Sequence, residues 1–221
     1  MKLNEKIYAQ LANRVYDRKE IVNKMTLPEG ITELKWMDDN PSTGFSAGVY
    51  RAEGNKIIIS FTGSNIGDHS LGMAGDFAVA NVPLGLGLNS PQMIQAVSLV
   101  LETIRQYPDA EISFTGHSLG GGLASIMAIL FDKKAVVFDP APFKAAVLNP
   151  FRLRRLNGFL IKNGWQNSFR LPYDWRFQQN AERMANLCSR ATRLSVTPLS
   201  KPQFFCAAVF RLPQTFNTSL R

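Results

Sequence analysis

An α/β fold, with a mostly parallel sheet and helices on both faces, is predicted by three features of this 221-residue chain. The run Lys56-Ile-Ile-Ile-Ser-Phe61 is apolar at consecutive positions, as in a strand covered on both sides. Strand-like and helix-like segments then alternate as far as residue 138, the pattern of parallel strands joined by right-handed crossovers. Finally, Glu111-Ile-Ser-Phe-Thr115 runs without a linker into Gly116-His-Ser-Leu-Gly120 and a helix of small residues, so a tight strand-to-helix turn is expected there.

Each element has its own local reason. Leu3, Ile7, Leu11, Val15 and Ile21-Val22 recur at near-helical spacing among charged residues, which predicts an amphipathic helix ending before Pro28-Glu29-Gly30. Phe45 to Tyr50 and Lys56 to Phe61 flank Ala52-Glu-Gly-Asn55, a hairpin signature with Gly-Asn at the turn. Ser90-Pro91 reads as an N-cap followed by a first-turn proline. The helix after it carries Ile94, Val97, Leu101 and Ile104 on one face and stops near Tyr107-Pro108. Ala135-Val-Val-Phe138 is a further buried strand, closed by Asp139-Pro140. Beyond Pro150 the periodicity weakens; residues 182–187 are a candidate helix and 204–210 a candidate strand.

Charge divides the chain at the same place. The formal net charge is +8, yet residues 1–149 hold 13 basic and 15 acidic side chains, while residues 150–221 hold 12 basic and 2 acidic. A nearly neutral core over 1–149 followed by a basic tail over 150–221 is the expected organisation. A uniform basic groove does not look like this, so specific nucleic-acid binding is not expected. Phe151, Phe159, Trp165, Phe169 and Trp175 are interleaved with the arginines of the tail, which leaves an anionic membrane surface as an alternative partner. With 45% apolar and 19% charged residues the chain is of globular composition. No run of about 18 apolar residues predicts a spanning helix. Met1 to Lys6 lead into a polar stretch without an apolar signal core, so the expectation is a cytoplasmic protein or one exported by a route without a signal peptide. Cys188 and Cys206 are read as free thiols or buried side chains.

The chemistry is concentrated in Gly116-His117-Ser118-Leu119-Gly120, a G-x-S-x-G pattern. A nucleophile on a sharp strand-to-helix turn needs tiny neighbours, which Gly116 and Gly120 provide while Ser118 is thrust above the sheet. The helix N-terminus sets partial positive charge beside a developing oxyanion, and the Leu119 N–H is the expected donor. The alternative reading is a structural glycine-rich turn. Phe61-Thr-Gly-Ser64-Asn65 opens a second glycine-rich loop after an earlier strand, where a second oxyanion donor normally originates; a plain Gly-Ser turn is its alternative.

These segments together resemble the class 3 lipases, a family of α/β-hydrolases that includes fungal triacylglycerol lipases and bacterial lipase-like and phospholipase effectors. The resemblance is carried by Phe61-Thr-Gly-Ser64, Gly75-Asp76-Phe77 and Thr115 to Ala124, with support from the Tyr8–Tyr16 helix and the Gly44 to Tyr50 segment. It covers about residues 1–145 and implies an α/β-hydrolase-type sheet, incomplete at its C-terminal end, acting on lipid or phospholipid esters. It assigns Ser118 as nucleophile, Leu119 as one oxyanion donor, and Ser64 as the other, through its N–H and hydroxyl. The loop from Asn65 to Leu88, with Leu71 and Met73, falls where such enzymes carry an apolar lid; a leucine-rich interior loop would read the same. Two carboxylates compete for the acid. Asp139 ends the strand after the nucleophile helix, in an Asp-Pro-Ala context that some lipases outside class 3 use. Asp174, in Leu-Pro-Tyr-Asp-Trp, falls one strand later, where class 3 enzymes usually take it.

The histidine is the departure. A serine hydroxyl needs a base, and in this fold the order is Ser, acid, then His. The chain has two histidines, His69 and His117, and neither follows Ser118. His117 belongs to the elbow and points away from its neighbour's hydroxyl. Three readings stand in this order: a truncated or frameshifted chain, a lipid- or partner-binding module without catalysis, or His69 as a substitute base, whose alternative is a plain polar-loop histidine. No other chemistry competes. There is no His/Cys spacing for zinc and no phosphate loop, and Leu84-Gly-Leu-Gly-Leu88 neither follows a strand nor opens a helix, so no cofactor is expected.

Overall fold

The computed structural model describes residues 3–16, 26–37, 40, 43–63, 91–141, 156, 158–164 and the backbone of 207–210. Helix α1 (Glu5–Arg14) starts where extended Asn4 accepts the Ile7 N–H on its side-chain oxygen at 3.0 Å. It stops one residue before Val15, earlier than the apolar spacing suggests. There the Tyr16 N–H turns back to the Asn13 carbonyl, and the Val15 carbonyl takes the Thr62 hydroxyl instead of continuing the helical ladder. Residues 17–25 lie outside the described residues.

Strands β1 (Thr32–Met37), β2 (Ala47–Ala52) and β3 (Lys56–Phe61) follow. The β2–β3 hairpin turns through Gly54 at φ 72° and Asn55 at φ 54°, the left-handed region that Gly and Asn tolerate best. Strand β1 was not expected from the sequence pattern. It is an edge strand, with register stepping from Glu33↔Tyr50 to Lys35↔Val49, so Leu34 is an extra residue that breaks the two-residue period.

Helix α2 (Pro91–Gln106) begins on its proline as predicted. Its buried stripe includes Met93, Ala96, Val97 and Val100, which turns Ile94 outward to 40% exposure, contrary to the predicted face. Strand β4 (Glu111–His117) leads directly into α3 (Leu119–Phe131), whose residues are all buried, and β5 (Lys134–Phe138) follows after a left-handed Asp132. A short strand β6 (Ala207–Phe210) completes the sheet.

The six strands lie in the order β1-β2-β3-β4-β5-β6. Pairing is parallel only within β3-β4-β5 and antiparallel elsewhere, so the sheet is mixed rather than mostly parallel. The division follows from the connections: a tight turn joins β2 to β3, whereas α2 and α3 carry the chain back for parallel return.

The two faces differ in chemistry, and the alternation along β3 and β4 makes the difference. Ile57, Ile59, Phe61, Ile112 and Phe114 join the main core with α2 and α3. Leu156 and Leu160 also belong to that cluster. The opposite positions include Ile58, Ser60, Ser113 and Thr115, all buried and turned toward α1. There hydroxyls meet helix carbonyls: Ser60 donates to Leu11 at 3.0 Å and Thr62 to Val15 at 3.2 Å, while the Tyr8 carbonyl lies 3.3 Å from the Thr115 hydroxyl. The Tyr8 phenol pairs with Ser113 at 2.9 Å. Buried polar groups without such partners would each cost about 1–3 kcal/mol, so this seam selects one placement of α1. Arg14, itself buried, pairs with Glu33 of β1 at 3.0 Å. No helix among the described residues is long and apolar enough to cross a membrane.

Candidate active site

Parallel pairing brings three strand ends to one edge. Phe61 registers with Gly116, and His117 with Phe138, so the residues just past β3, β4 and β5 converge there: Gly63, Ser118 and Asp139. In open α/β sheets this carboxyl-end crevice is where ligands bind.

Ser118 occupies the turn between β4 and α3 with φ 53° and ψ −122°. That conformation suits glycine, and a side chain there costs about 1–3 kcal/mol. Backbone bonds on both sides hold it: the Ser118 N–H donates to Phe138 at 3.1 Å, and its carbonyl accepts from Gly122 at 3.0 Å and Ala141 at 2.9 Å. The hydroxyl takes no part in capping α3, so it is not consumed by the helix it precedes.

The flanking glycines are required by close backbone approach. A Cβ on Gly116 would sit 2.4 Å from the Gly120 carbonyl carbon, and one on Gly120 would sit 2.0 Å from the Phe61 carbonyl oxygen. Any larger residue would force α3 away from β3 and β4. Buried Leu119 opens α3, so its N–H is among the first of the helix, which have no intrahelical carbonyl to bond.

His117 ends β4 with an exposed ring that meets Tyr16 edge-on, at a centroid distance of 6.2 Å. The Tyr16 hydroxyl lies 3.3 Å from His117 Nδ1 and 3.2 Å from its carbonyl oxygen, and it accepts the Gly63 N–H at 2.9 Å. Burial raises the Tyr16 phenol above its ordinary pKa of 10.0, against a smaller lowering by the Gly63 bond, so it is a neutral hydroxyl at physiological pH.

Asp139 is exposed at the end of β5 and has φ 41°, although Pro140 follows. A residue before proline normally adopts extended backbone, so this position is unfavourable twice over. Two non-glycine residues at positive φ, Ser118 and Asp139, therefore stand side by side at the strand ends. Sequence reading singled out both side chains but not this shared backbone geometry, and it passed over Tyr16 and Gly63 as bonding partners. Tyr16 appeared only as the end of a helix pattern, and nothing local signals its bond to a residue 47 positions away. Ser64, His69, Asp174 and the Asn65–Leu88 loop lie outside the described residues. Among the described residues no cluster of His, Cys, Asp or Glu suits a metal ion. A surface cavity lined by Leu34, Val49, Glu102 and Tyr107 lies against β1, β2 and the C-terminal half of α2, away from these strand ends.

A sheet with a parallel centre, helices on both faces and a serine held at positive φ between strand and helix defines an α/β-hydrolase fold of the lipase type. Over residues 7–155 the chain matches the Tle-like phospholipase domain, and it belongs to that phospholipase-like family. It is 32% identical over 107 residues to extracellular phospholipase A1 of Serratia liquefaciens, covering 48% of this chain and 30% of that protein. A 44-residue segment is 46% identical to the putative lipase ATG15 of Vanderwaltozyma polyspora, covering 20% of this chain and 8% of that protein. The chain thus spans less than a third of either of these relatives. Among solved structures, the nonglycosylated LIP2 lipase of Yarrowia lipolytica aligns at 20% identity and a TM-score of 0.42, over 61% of this chain and 57% of that one.

Proposed function

We propose that this chain is a serine hydrolase of lipid or phospholipid esters, acting through an acyl-enzyme on Ser118. The observation that carries the proposal is the strained backbone of Ser118 at the head of α3, between two glycines that admit no Cβ. Strain of this kind persists only where the surroundings enforce it, and it gathers at functional sites. Family membership supports the substrate class.

In the proposed reaction the Ser118 oxygen attacks the ester carbonyl carbon while a base takes the hydroxyl proton. The carbonyl oxygen gains negative charge, held by the Leu119 N–H and by Ser64, the residue after Gly63. Collapse breaks the bond to the alcohol, which leaves with the proton, and water then releases the acid and restores Ser118. Asp139, at the neighbouring strand end, is the proposed acid, with Asp174 as its alternative. The base is proposed to be a histidine, and His69, in the loop after the oxyanion strand, is the substitute candidate within these residues. The basic residues of 150–221 would favour an anionic lipid surface.

A fluorophosphonate probe tests the nucleophile. Labelling should map to Ser118 and vanish in Ser118→Ala; folded protein that takes no label overturns the proposal and leaves a non-catalytic binding module. The base is tested on the same probe: His69→Gln should slow labelling by at least about a hundredfold, and an unchanged rate removes His69 from the mechanism.

A further inference from the structure

Gly63 is the last described residue before the loop from which the second oxyanion donor is proposed to come, and Ser118 is the proposed nucleophile. The gap between them decides whether both donors reach one oxygen, because such donors work only at about 2.7–3.1 Å. One side chain bridges that gap. The Tyr16 hydroxyl accepts the Gly63 N–H at 2.9 Å and carries a single proton of its own. Among the described residues its two acceptors in range, the carbonyl oxygen at 3.2 Å and Nδ1 at 3.3 Å, both belong to His117. Whichever of them takes the proton, the bridge links residue 63 to residue 117. The fit is close: a Cβ on Gly63 would lie 2.2 Å from the Tyr16 oxygen, 2.8 Å from the His117 carbonyl oxygen and 3.4 Å from the Ser118 Cβ.

Tyr16 is itself placed from behind. Thr62 donates to the carbonyl of Val15, the preceding residue, and receives the Ser46 hydroxyl at 2.6 Å. Ser60 holds the carbonyl of Leu11 one turn earlier. The end of α1 is thus registered on β3 before Tyr16 reaches over to β4.

We propose that Tyr16 is a positioning residue for the reaction at Ser118, its hydroxyl clamping Gly63, just past the end of β3, to the nucleophile elbow. The inference rests on Ser118 being the nucleophile. It assigns Tyr16 no proton transfer and no contact with the reacting atoms. Removing the hydroxyl leaves the phenyl ring against His117 but frees the Gly63 N–H, so the loss falls on transition-state stabilisation rather than on substrate binding.

The test compares Tyr16→Phe with Tyr8→Phe, which removes a hydroxyl from the same helix at a site bonded to Ser113. Fluorophosphonate labelling rates and, with a short-chain nitrophenyl ester, kcat and KM are measured well below each melting temperature. Tyr16→Phe should label roughly 10-fold more slowly, the effect of one lost hydrogen bond, and lower kcat with KM unchanged. Tyr8→Phe should melt lower and label at the wild-type rate. Equal rates for Tyr16→Phe and wild type, or equal slowing in both variants, overturn the proposal. In the wild-type protein the Gly63 amide should exchange hydrogen slowly, and exchange at the rate of an open loop overturns it whether or not Tyr16→Phe folds. Wild-type protein that takes no label is a different failure, that of the nucleophile itself.

Discussion

Replacing Ser118 by glycine should stabilise the protein relative to Ser118→Ala while both abolish labelling. Both substitutions remove the hydroxyl, so its interactions cancel in the comparison. What differs is the Cβ, which alanine keeps and glycine lacks. At φ 53° and ψ −122° that Cβ is the source of the strain, worth about 1–3 kcal/mol. Glycine returns part of this through the greater freedom of the unfolded chain, about 0.5–1 kcal/mol. The three hydrogen bonds that hold residue 118 all use its backbone N–H and C=O, so they survive both substitutions. The balance is a gain of about 0.5–2 kcal/mol for glycine over alanine, or about 1–8 °C in melting temperature at this chain length. Differential scanning calorimetry of the two variants under one buffer condition reads it directly. A glycine variant that melts below the alanine variant would refute the argument, because the backbone would then impose no penalty for the serine to overcome.

Two other predictions use the same neighbourhood. Gly120→Ala would set a Cβ 2.0 Å from the Phe61 carbonyl oxygen and 2.7 Å from its carbon, both backbone atoms that cannot swing aside. Moving α3 off β3 to relieve this should cost at least about 1–3 kcal/mol and slow Ser118 labelling about a hundredfold, as a displacement of about 1 Å does; unchanged melting and labelling would show that the helix does not pack as described. Alkaline stability should follow the buried phenol of Tyr8 and the half-buried one of Tyr16. Burial raises Tyr8 above 10.0, with the Ser113 bond opposing and Glu111 adding, and burial likewise raises Tyr16. The unfolded chain ionises these groups from pH 10 upward while the folded chain still holds their protons. Their contribution is therefore complete below pH 10 and is lost as pH climbs through the higher folded values. Urea unfolding at pH 9 to 11 should show a shallower decline in a Tyr8→Phe, Tyr16→Phe double variant than in wild type, and parallel declines would count against the assignment.

The elbow was legible in the sequence because its pattern is local. A strand, two glycines around a serine and a helix of small residues are contiguous, although the backbone that excludes a Cβ at Gly120 belongs to Phe61, far away in sequence. The β2–β3 hairpin and the proline start of α2 were legible for the same reason. Edge strand β1 was not, because a bulge at Leu34 spoils its period. The exposure of Ile94 also escaped, since helical spacing defines a stripe without saying which way it is turned.

By itself, then, the sequence determined the α/β class, the serine at the turn and the candidate carboxylates, all of which depend on residue type and near-neighbour spacing. Tertiary structure alone decided that Ser118 and Asp139 share strained backbone at adjacent strand ends, that only the centre of the sheet is parallel, and that Tyr16 spans β3 and β4. The physical reason is range. The Tyr16 bonds join residues 47 and 101 positions apart, and a hydroxyl that must meet its partners within a few tenths of an ångström is placed by packing, which no periodicity in the chain records.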